Sequence, residues 1–339
     1  MASFPKVNKI VKDPLYSHVH IPKLCQQFMD VPEFQRLRRV KQLGTAYYAY
    51  PSAVHTRFEH SIGVMYLAGK VVDHLRQFTE IPDRCKELIQ LAALYHDIGH
   101  FSLSHLFDSY LEEFAREFDR WCKNYITVNE EKVYLKHENR SILILEQVNI
   151  RLKLLNANDV RFVADCINPE RLNGSLRNHS QEFVYQIVNN KQCGIDVDKL
   201  DYLARDAYHT NFPAFQCGYI IECMRIHNGN IVFLNKVKDD IVDLFETRRR
   251  MFRMVYFHHT CSKVDQIYKY MMKLLGEKLF IYGNMSDDFN LETLLRNNEE
   301  TKSIMHLLDC RDFASLSKIV KFSEHEYSTS GSIDDVKFI

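Results

Sequence analysis

The stretch LYHDIGH, residues 94–100, decides how this chain is interpreted. It places an adjacent histidine and aspartate, His96 and Asp97, at the end of an apolar helical stripe. An imidazole and a carboxylate are both ligands for a divalent cation, which can hold water and polarise phosphate oxygens. Gly99 suits a tight bend where the backbone crowds such a site. Because a lone His-Asp dipeptide is common by chance, its meaning depends on further ligands elsewhere in the chain.

A third ligand is offered upstream by the segment HTRFEH, residues 55–60, which opens the preceding amphipathic helix. Arg57 and His60 are three residues apart and therefore share a helix face. An arginine beside a metal ligand suits a phosphate substrate, because its planar guanidinium pairs two phosphate oxygens at once. Taken alone, this segment is better explained as a surface histidine and a solvated arginine.

A polar stripe follows downstream in the segment DVDKLDYLARD, residues 196–206. On a helix, Asp198, Tyr202 and Asp206 lie four residues apart on one face, with Lys199 at its edge. This face can supply a carboxylate ligand, a cation for phosphate, and hydroxyl and carboxylate partners for a sugar. Taken alone, it is better explained as a solvated helix face with charge pairs four residues apart.

Candidates for proton transfer and substrate binding lie around these segments. His105 and Asp108 are three residues apart at a predicted helix start, and a histidine oriented by a carboxylate can act as a general acid. His137 is a second candidate of this kind. Arg248 and Tyr256, two helical turns apart, are placed to contact a phosphate and a base.

Composition excludes several classes of protein. The 339 residues carry 44 basic and 44 acidic side chains, so bulk attraction to nucleic acid or an anionic membrane is not indicated. The nine cysteines include no CxxC pair, which argues against a disulfide framework and for a reducing compartment. The sequence shows neither a signal peptide nor a membrane-spanning run. We therefore expect a cytoplasmic or nuclear protein.

The predicted fold is mostly α-helical and compact, because long segments show helical spacing of apolar residues and few glycines or prolines. One or two short β-hairpins are expected. The turn Asn228-Gly229-Asn230 predicts a hairpin between Met224–His227 and Ile231–Leu234, and Ser17–Ile21 predicts another strand. Helices are predicted at 64–75, 88–95, 105–123, 138–155, 181–190, 197–208, 214–225 and 238–276.

Together these segments resemble the HD superfamily, which takes its metal ligands from H…HD…D in that order. The similarity is greatest to its dNTP triphosphohydrolase branch, and there to the catalytic core of the mammalian SAM-and-HD-domain enzymes. The matching stretch runs from about Lys9 to His258. Its matching segments are RLR (36–38), KQLG (41–44), YY (47–48), RFEHS (57–61), HDIGH (96–100), NNK (189–191), IDVDKLDYLARD (195–206), TR (247–248) and Tyr256.

The resemblance implies a helical HD-domain core over residues 1–322, with its motifs at about 55–210 and a helical extension at about 238–322. Residues 323–339 are expected to form a flexible tail. The sequence is expected to depart from the mammalian enzymes in two ways, since it is expected to lack both their SAM domain and their C-terminal lobe. Since that lobe supports the tetramer of the mammalian enzymes, we expect a homo-oligomer with a dimer as the default.

The resemblance also implies a role for each candidate residue. A divalent metal, which could be Fe, Mn, Zn or Mg, would be bound by His60, His96, Asp97 and Asp198. The triphosphate would be bound by Arg57, Lys199 and Arg248. Proton transfer or water placement would fall to His105, His137 and Asp108. The deoxyribose 3′-hydroxyl would be held by Gln42, Tyr202 and Asp206. Leu43 would pack against C2′, and Tyr256 would lie near the base.

The implied reaction is hydrolysis of a dNTP to a deoxynucleoside and inorganic triphosphate. Water would attack the α-phosphorus, and His105 is the first candidate to protonate the 5′-oxygen. The metal, the phosphate contacts and a sugar-like polar face follow from the residues themselves. The identity of the substrate as a dNTP follows only from the resemblance.

The sequence departs from the family where nucleotides would regulate it. Four residues match the half-pocket that reads a guanine nucleotide, GTP or dGTP: Lys9, Asp30, Gln35 and Arg38. The neighbouring dNTP half-pocket is eroded, since Tyr219 and Leu234 stand where arginines are expected and Asp240 replaces an asparagine. Lys236 is retained there, and Phe252 stands at the base end of the active site in place of a histidine.

Two alternatives remain open from the sequence. The first is an HD-type phosphohydrolase or phosphodiesterase that acts on another nucleotide. The residues that would measure the deoxysugar, Gln42, Leu43, Tyr202 and Asp206, argue for a dNTP instead. The second is a nucleotide-sensing or binding module with little catalysis, which a degenerate metal set would favour. The presence of all four metal-ligand candidates argues against it.

Overall fold

The computed structural model describes residues 9–113, 136–172, 182–213, 215, 217–280 and 286–320. Fourteen α-helices and two antiparallel two-stranded sheets form the regular structure of this part of the chain, which confirms the predicted mostly α-helical fold. The helices are α1 (Lys23–Met29), α2 (Pro32–Gln35), α3 (Arg57–Leu75), α4 (Asp83–Tyr95), α5 (His105–Glu113), α6 (His137–Leu152), α7 (Ala157–Ile167), α8 (Val197–Thr210), α9 (Cys217–Glu222), α10 (Lys238–Met251), α11 (His259–Leu275), α12 (Asp288–Asn297), α13 (Lys302–Asp309) and α14 (Phe313–Ile319).

Both small sheets are hairpins. Strand β1 (Lys9–Asp13) pairs with β2 (Ser17–Ile21), and β3 (Met224–His227) pairs with β4 (Asn230–Phe233). The predicted strand at Ser17–Ile21 and the predicted turn at 228–230 are both confirmed. The second strand of the latter hairpin begins one residue earlier than predicted, at Asn230. Of the described helices, none is long and apolar enough to cross a bilayer.

Helix α3 is the centre of the main core. The amide of Thr56 donates to the Glu59 carboxylate at 2.9 Å, which fixes the first turn of the helix. Its side chains are buried on nearly every face, and it packs against α4, α8 and β2. A helix that is apolar on all sides belongs in the interior of a protein. His60, in the first turn of α3, is therefore held by a buried helix of the main core.

Close contacts between helices explain two glycines near the site. A side chain at Gly63 would lie 1.9 Å from the Asp201 carboxylate, so this glycine lets α8 approach α3. A side chain at Gly99 would lie 2.2 Å from the carbonyl oxygen of His137, where α6 begins. The glycine of the 94–100 stretch is thus required by the approach of α6, whereas a tight bend was the reason expected.

Several predicted helices differ from the observed ones. Of the segment 181–190, the described residues form a short 3₁₀ helix, Glu182–Val184, followed by turns. Among the described residues of the helix predicted at 214–225, only α9 is helical. Helix α7 was not predicted. The helix predicted at 105–123 begins as expected at His105, and its second half lies outside the described residues, as does the tail at 323–339.

The helix predicted at 238–276 is interrupted. Helix α10 passes into a π-helical turn, Phe252–Tyr256, and a new helix, α11, begins at His259. The His258 backbone is extended, and its imidazole accepts a hydrogen bond from the Thr260 amide at 3.2 Å. Apolar spacing continues through this break, so periodicity alone could not reveal it.

A second core forms where α11 packs against the 3₁₀ turn Gly44–Tyr48 and helices α12 to α14. At this contact the Thr45 hydroxyl donates a hydrogen bond to Asp265 of α11. Burial raises the pKa of Asp265 to about 6, and the Thr45 hydrogen bond only partly offsets it. The ionised carboxylate therefore costs stability in the folded protein.

We expect Asp265→Asn to stabilise the protein at pH 7 by about 1–2 kcal/mol, because the amide removes a buried charge. A raised folded pKa means that wild-type stability falls as pH rises between the unfolded pKa and about 6. The gain should therefore disappear near pH 4, where both proteins are uncharged at this position. Urea unfolding at both pH values measures it, and an equal change at pH 4 and pH 7 would refute the assignment.

Candidate metal centre

The four predicted metal ligands meet at one point, although they come from three parts of the chain. His60 lies in the first turn of α3, His96 and Asp97 directly follow α4, and Asp198 lies in the first turn of α8. Ligand atoms of His60, His96 and Asp198 all lie within 4.8 Å of one another. The Nε2 atom of His60 is 3.1 Å from Asp198 Oδ1 and 3.5 Å from Asp97 Oδ2. The Nε2 atom of His96 is 3.4 Å from both carboxylates.

The two imidazoles present a lone pair to this point. The Nδ1 atom of His60 is 2.8 Å from Asp201 Oδ2, and that of His96 is 2.8 Å from the Ala93 carbonyl oxygen. Because Nδ1 donates in each ring, Nε2 is free to bind a cation. Both Nε2 atoms are buried and make no hydrogen bond within the described residues. Two such nitrogens and two carboxylates are a donor set that fits a divalent transition metal.

The charges of the site support the same conclusion. Burial opposes protonation of His60, but Asp198 and Asp201 outweigh it and raise the pKa of His60 to about 10. Burial likewise opposes ionisation of Asp97, but Arg57, His96 and His100 hold its pKa well below the usual range. The concentrated negative charge therefore attracts a cation, and a divalent metal would displace the proton on His60.

An ionic cluster behind His60, which was not predicted from the sequence, orients this ligand. Asp201 receives two hydrogen bonds of 2.9 Å from Arg205 and one of 2.8 Å from the Tyr16 hydroxyl. Arg205 also pairs with Asp13 at 3.0 Å, and its side chain is fully buried. The spacing of Asp201 and Arg205, four residues apart on a helix, was the available signal. Their meeting with Tyr16 depends on the fold.

The three predicted proton-transfer residues are neighbours. Asp108 Oδ2 lies 3.6 Å from Nδ1 of His105 and 3.5 Å from Nδ1 of His137. The His105 side chain is 73% exposed, so its other nitrogen faces the solvent side of the site. Arg140 donates a hydrogen bond to the other Asp108 oxygen. The carboxylate is thereby fixed between its histidines.

His100, the last residue of the 94–100 stretch, was not among the predicted site residues. Its Nδ1 is 3.3 Å from Asp108 Oδ2, its Nε2 is 3.4 Å from Asp97 Oδ1, and its ring stacks on His137 at 3.9 Å. It therefore connects the predicted metal ligands to the proton-transfer residues. Its spacing of three residues from Asp97 was a usable signal in the sequence.

The predicted phosphate-binding residues occupy separate positions. Arg57 is buried, donates from Nε to the Ser104 hydroxyl at 2.8 Å, and pairs with Asp97. Lys199 donates to the Gly194 carbonyl oxygen. Arg248 lies over the Phe252 ring, with its guanidinium 4.5 Å from the ring centre. Their common role in binding phosphate stays a prediction.

Two of the predicted sugar and base residues are in direct contact. Tyr256 is the last residue of the π-helical turn, and its hydroxyl donates a hydrogen bond to Asp206 Oδ2 at 2.6 Å. Tyr202 is half-buried one turn before Asp206, and burial is the main cause of its raised pKa. Gln42 is buried, and its side-chain oxygen makes no hydrogen bond in the described structure. Leu43 beside it is half-buried against the main core.

The predicted regulatory residues form two pairs. Lys9 is 3.1 Å from Asp30, and the Arg38 guanidinium donates to the Gln35 side chain at 2.8 Å. Arg38 also lies 3.6 Å from the centre of the Phe58 ring. In the eroded half-pocket, the Lys236 ammonium lies 5.4 Å from the centre of the Tyr219 ring. Binding of a nucleotide by either set stays a prediction.

Comparison with known proteins agrees with this geometry. Residues 57–206 match the HD domain family. The chain is 32% identical over 317 residues to the deoxynucleoside triphosphate triphosphohydrolase SAMHD1 homolog of Dictyostelium discoideum, covering 88% of this chain and 56% of that protein. It is 29% identical to deoxynucleoside triphosphate triphosphohydrolase SAMHD1 of Homo sapiens, covering 92% and 55%, and 31% identical to that of Danio rerio, covering 86% and 49%. The chain thus spans about half the length of these relatives.

Proposed function

We propose that the chain, in which residues 57–206 match the HD domain family, is a metal-dependent deoxynucleoside triphosphate triphosphohydrolase. It would convert a dNTP and water into a deoxynucleoside and inorganic triphosphate. The observation that carries the proposal is the convergence of the His60 and His96 Nε2 atoms with the carboxylates of Asp97 and Asp198. The relatives named as dNTP triphosphohydrolases support the choice of substrate.

In this proposal His60, His96, Asp97 and Asp198 hold the metal. A divalent cation there, Fe, Mn, Zn or Mg, would polarise the phosphate and activate water for attack. The Asp198 side chain is 36% exposed, whereas that of His60 is fully buried. Substrate would therefore reach the site from the side of Asp198.

The positive side chains around the metal ligands would bind the triphosphate. A guanidinium has five N–H donors, and the contacts of Arg57 with Ser104 and Asp97 leave some of them for a phosphate oxygen. The Lys199 ammonium has three N–H donors, and its contact with the Gly194 carbonyl oxygen leaves two of them for a phosphate oxygen. Arg248, held over Phe252, would bind the far end of the chain of phosphates.

Asp108 would orient the proton-transfer groups. It contacts the Nδ1 atoms of His105 and His137, which leaves Nε2 of either ring to protonate the 5′-oxygen of the leaving deoxynucleoside. We assign this step first to His105, since its ring is the more exposed of the two. His137 would then place the attacking water.

The sugar would be recognised by Gln42, Tyr202 and Asp206 through its 3′-hydroxyl, with Leu43 against C2′ and Tyr256 near the base. The free side-chain oxygen of Gln42 and the carboxylate of Asp206 support this assignment. A GTP or dGTP effector at Lys9, Asp30, Gln35 and Arg38, and a homodimer as the assembly, complete the proposal.

The proposed reaction is tested by identifying its products. With Mn²⁺ or Mg²⁺, the purified chain is expected to release deoxynucleoside and inorganic triphosphate in equal amounts, and chelation by EDTA should stop the reaction. Chromatography of nucleosides and of phosphates measures both. Release of orthophosphate, or of pyrophosphate with dNMP, would instead favour an HD-type enzyme of another specificity. Bound metal without turnover would favour a nucleotide-binding module.

The effector is tested in the same assay with and without GTP. An increase in kcat/KM on addition of GTP, absent in Arg38→Ala, would support the regulatory site. Equal rates with and without GTP would exclude GTP activation while leaving the proposed reaction intact. Sedimentation of the chain with and without the nucleotide tests the proposed dimer.

A further inference from the structure

His55 is a buried histidine that none of the roles above uses. Its side chain is fully buried, and its Nε2 atom lies 2.7 Å from Asp206 Oδ1. Its ring stacks on that of His209, with ring centres 4.3 Å apart and an angle of 10° between the planes. The His55 carbonyl oxygen accepts a hydrogen bond of 2.9 Å from the Gln42 amide. His55 therefore contacts two residues assigned to the sugar, one through its side chain and one through its backbone.

The hydrogen bonds around the ring define its tautomer. The Nδ1 atom of His55 is buried and makes no hydrogen bond in the part of the chain that the structure describes. A proton on Nδ1 would be a buried donor without an acceptor, which destabilises that tautomer. The proton therefore lies on Nε2, and His55 donates it to Asp206.

Asp206 is thus held by two donors, one on each oxygen. His55 donates to Oδ1 and the Tyr256 hydroxyl donates to Oδ2 at 2.6 Å. A carboxylate oxygen can accept more than one hydrogen bond, so both oxygens retain a lone pair for a ligand. Rotation of an aspartate carboxylate about its last bond is otherwise broad. The two donors fix the plane of the carboxylate and so the direction of those lone pairs.

The backbone around His55 is also rigid. Lys41 and Thr56 form an isolated antiparallel bridge, flanked by the Gln42–His55 hydrogen bond and by one of 2.9 Å from the Arg57 amide to the Val40 carbonyl. The segments that carry Gln42 and His55 therefore move together. Because this backbone is fixed, a substitution at His55 acts on the Asp206 carboxylate through the side chain that contacts it.

We propose that His55 is a positioning residue for recognition of the sugar, which sets the Asp206 carboxylate to accept the 3′-hydroxyl of the substrate. This inference rests on the proposed function. It makes His55 a determinant of substrate selection that does not itself touch the substrate. Tyr256 holds the other oxygen of the same carboxylate.

The test compares a dNTP with the matching 2′,3′-dideoxynucleotide, which lacks the 3′-hydroxyl. Wild type is expected to prefer the dNTP in kcat/KM. His55→Leu removes the hydrogen-bond donor and keeps a side chain of similar size. Its kcat/KM for the dNTP should fall about tenfold, mainly through a higher KM, and its kcat/KM for the dideoxynucleotide should change little. If His55 only stabilised the fold, the substitution would lower kcat/KM for both nucleotides by the same factor.

A pair of amide variants keeps the test valid if the leucine variant folds poorly. The amide of glutamine in His55→Gln reaches the position of Nε2 and should restore most of the preference for the dNTP. The amide of His55→Asn is too short to reach Asp206 and should behave like leucine. Thermal unfolding of each variant is measured alongside.

The possible failures are distinguishable. If wild type hydrolyses neither nucleotide, the proposed function fails, and the assignment of His55 fails with it. If wild type hydrolyses the dNTP but the leucine and asparagine variants keep the wild-type preference, only the assignment of His55 is overturned. Equal behaviour of the glutamine and asparagine variants would overturn it as well.

Discussion

Asp97→Ala is expected to abolish metal binding and to lower kcat for dNTP hydrolysis by at least about a thousandfold. Asp97 is the residue that most of the site shares. It pairs with Arg57, and its carboxylate lies within 3.8 Å of nitrogens of His60, His96, His100 and His137. Loss of this carboxylate removes a metal ligand, frees Arg57 and disconnects His100. Elemental analysis of the purified variant and its steady-state kinetics measure the two effects separately.

Asp73→Ala is the matched control for this variant. Asp73 is also an aspartate beside basic residues, but its side chain is 53% exposed and pairs with Lys86. It should keep wild-type metal content and kcat. His96→Ala provides a second, independent test of the same centre. Wild-type metal content in both His96→Ala and Asp97→Ala would refute the metal assignment, even if activity were lost.

The site was partly predictable because its main signals are local. His96 and Asp97 are adjacent, and the polar stripe from Asp198 to Asp206 follows helical spacing. Both patterns survive in the sequence without knowledge of the fold. The order of His60, the His-Asp pair and Asp198 then matched a family, and the structure places all four together.

Two of the residues that were missed, Asp201 and His55, have a different property, since each acquires its role through a distant partner. Asp201 contacts His60 across 141 positions of sequence, and His55 contacts Asp206 across 151. Periodicity and spacing are local quantities and contain no information about such pairs. A buried aspartate between two predicted site residues is, from the sequence alone, indistinguishable from a solvated one.

The errors in the fold have a similar cause. The segment 238–276 has apolar residues at helical spacing throughout, and the sequence therefore predicted one long helix. The structure ends α10 at Met251, adds the π-helical turn and restarts at His259. Such turns are frequent at functional sites, because they displace a side chain from the regular helical path. Here the turn contains Tyr256, whose hydroxyl reaches Asp206.

Arg205→Met should destabilise the protein by about 3–5 kcal/mol at pH 7, the largest effect on stability that we expect. Methionine matches much of the volume of arginine but removes the charge from the cluster behind His60. Asp201 would then remain buried with two donors, the Tyr16 hydroxyl and the His60 Nδ1, and Asp13 would lose its pairing with Arg205 as well. Urea unfolding of the metal-free protein measures the loss without a contribution from bound metal.

The pH dependence of this loss identifies its cause. Burial opposes ionisation of Asp201, but Arg205 and His60 outweigh it and lower its pKa to about 2. A depressed folded pKa contributes stability above the unfolded pKa and loses it as pH falls towards 2. Without Arg205 the folded pKa of Asp201 should rise above the unfolded value. The penalty of the variant should therefore be larger at pH 8 than at pH 5, because Asp201 can take up a proton at the lower pH.

Arg249→Met is the control. Arg249 also pairs with an acidic residue on its own helix, Glu246 three positions away, but both side chains of this pair are exposed. Exposed ion pairs contribute little to stability, so this variant should unfold like wild type at either pH. If Arg205→Met were as stable as wild type, or if its penalty were the same at pH 5 and pH 8, the buried charge of Asp201 would not depend on Arg205. The rigid support of His60 would then have to come from the packing of α3 against α8 alone, and replacement of Gly63, where these helices meet, would be the more damaging change.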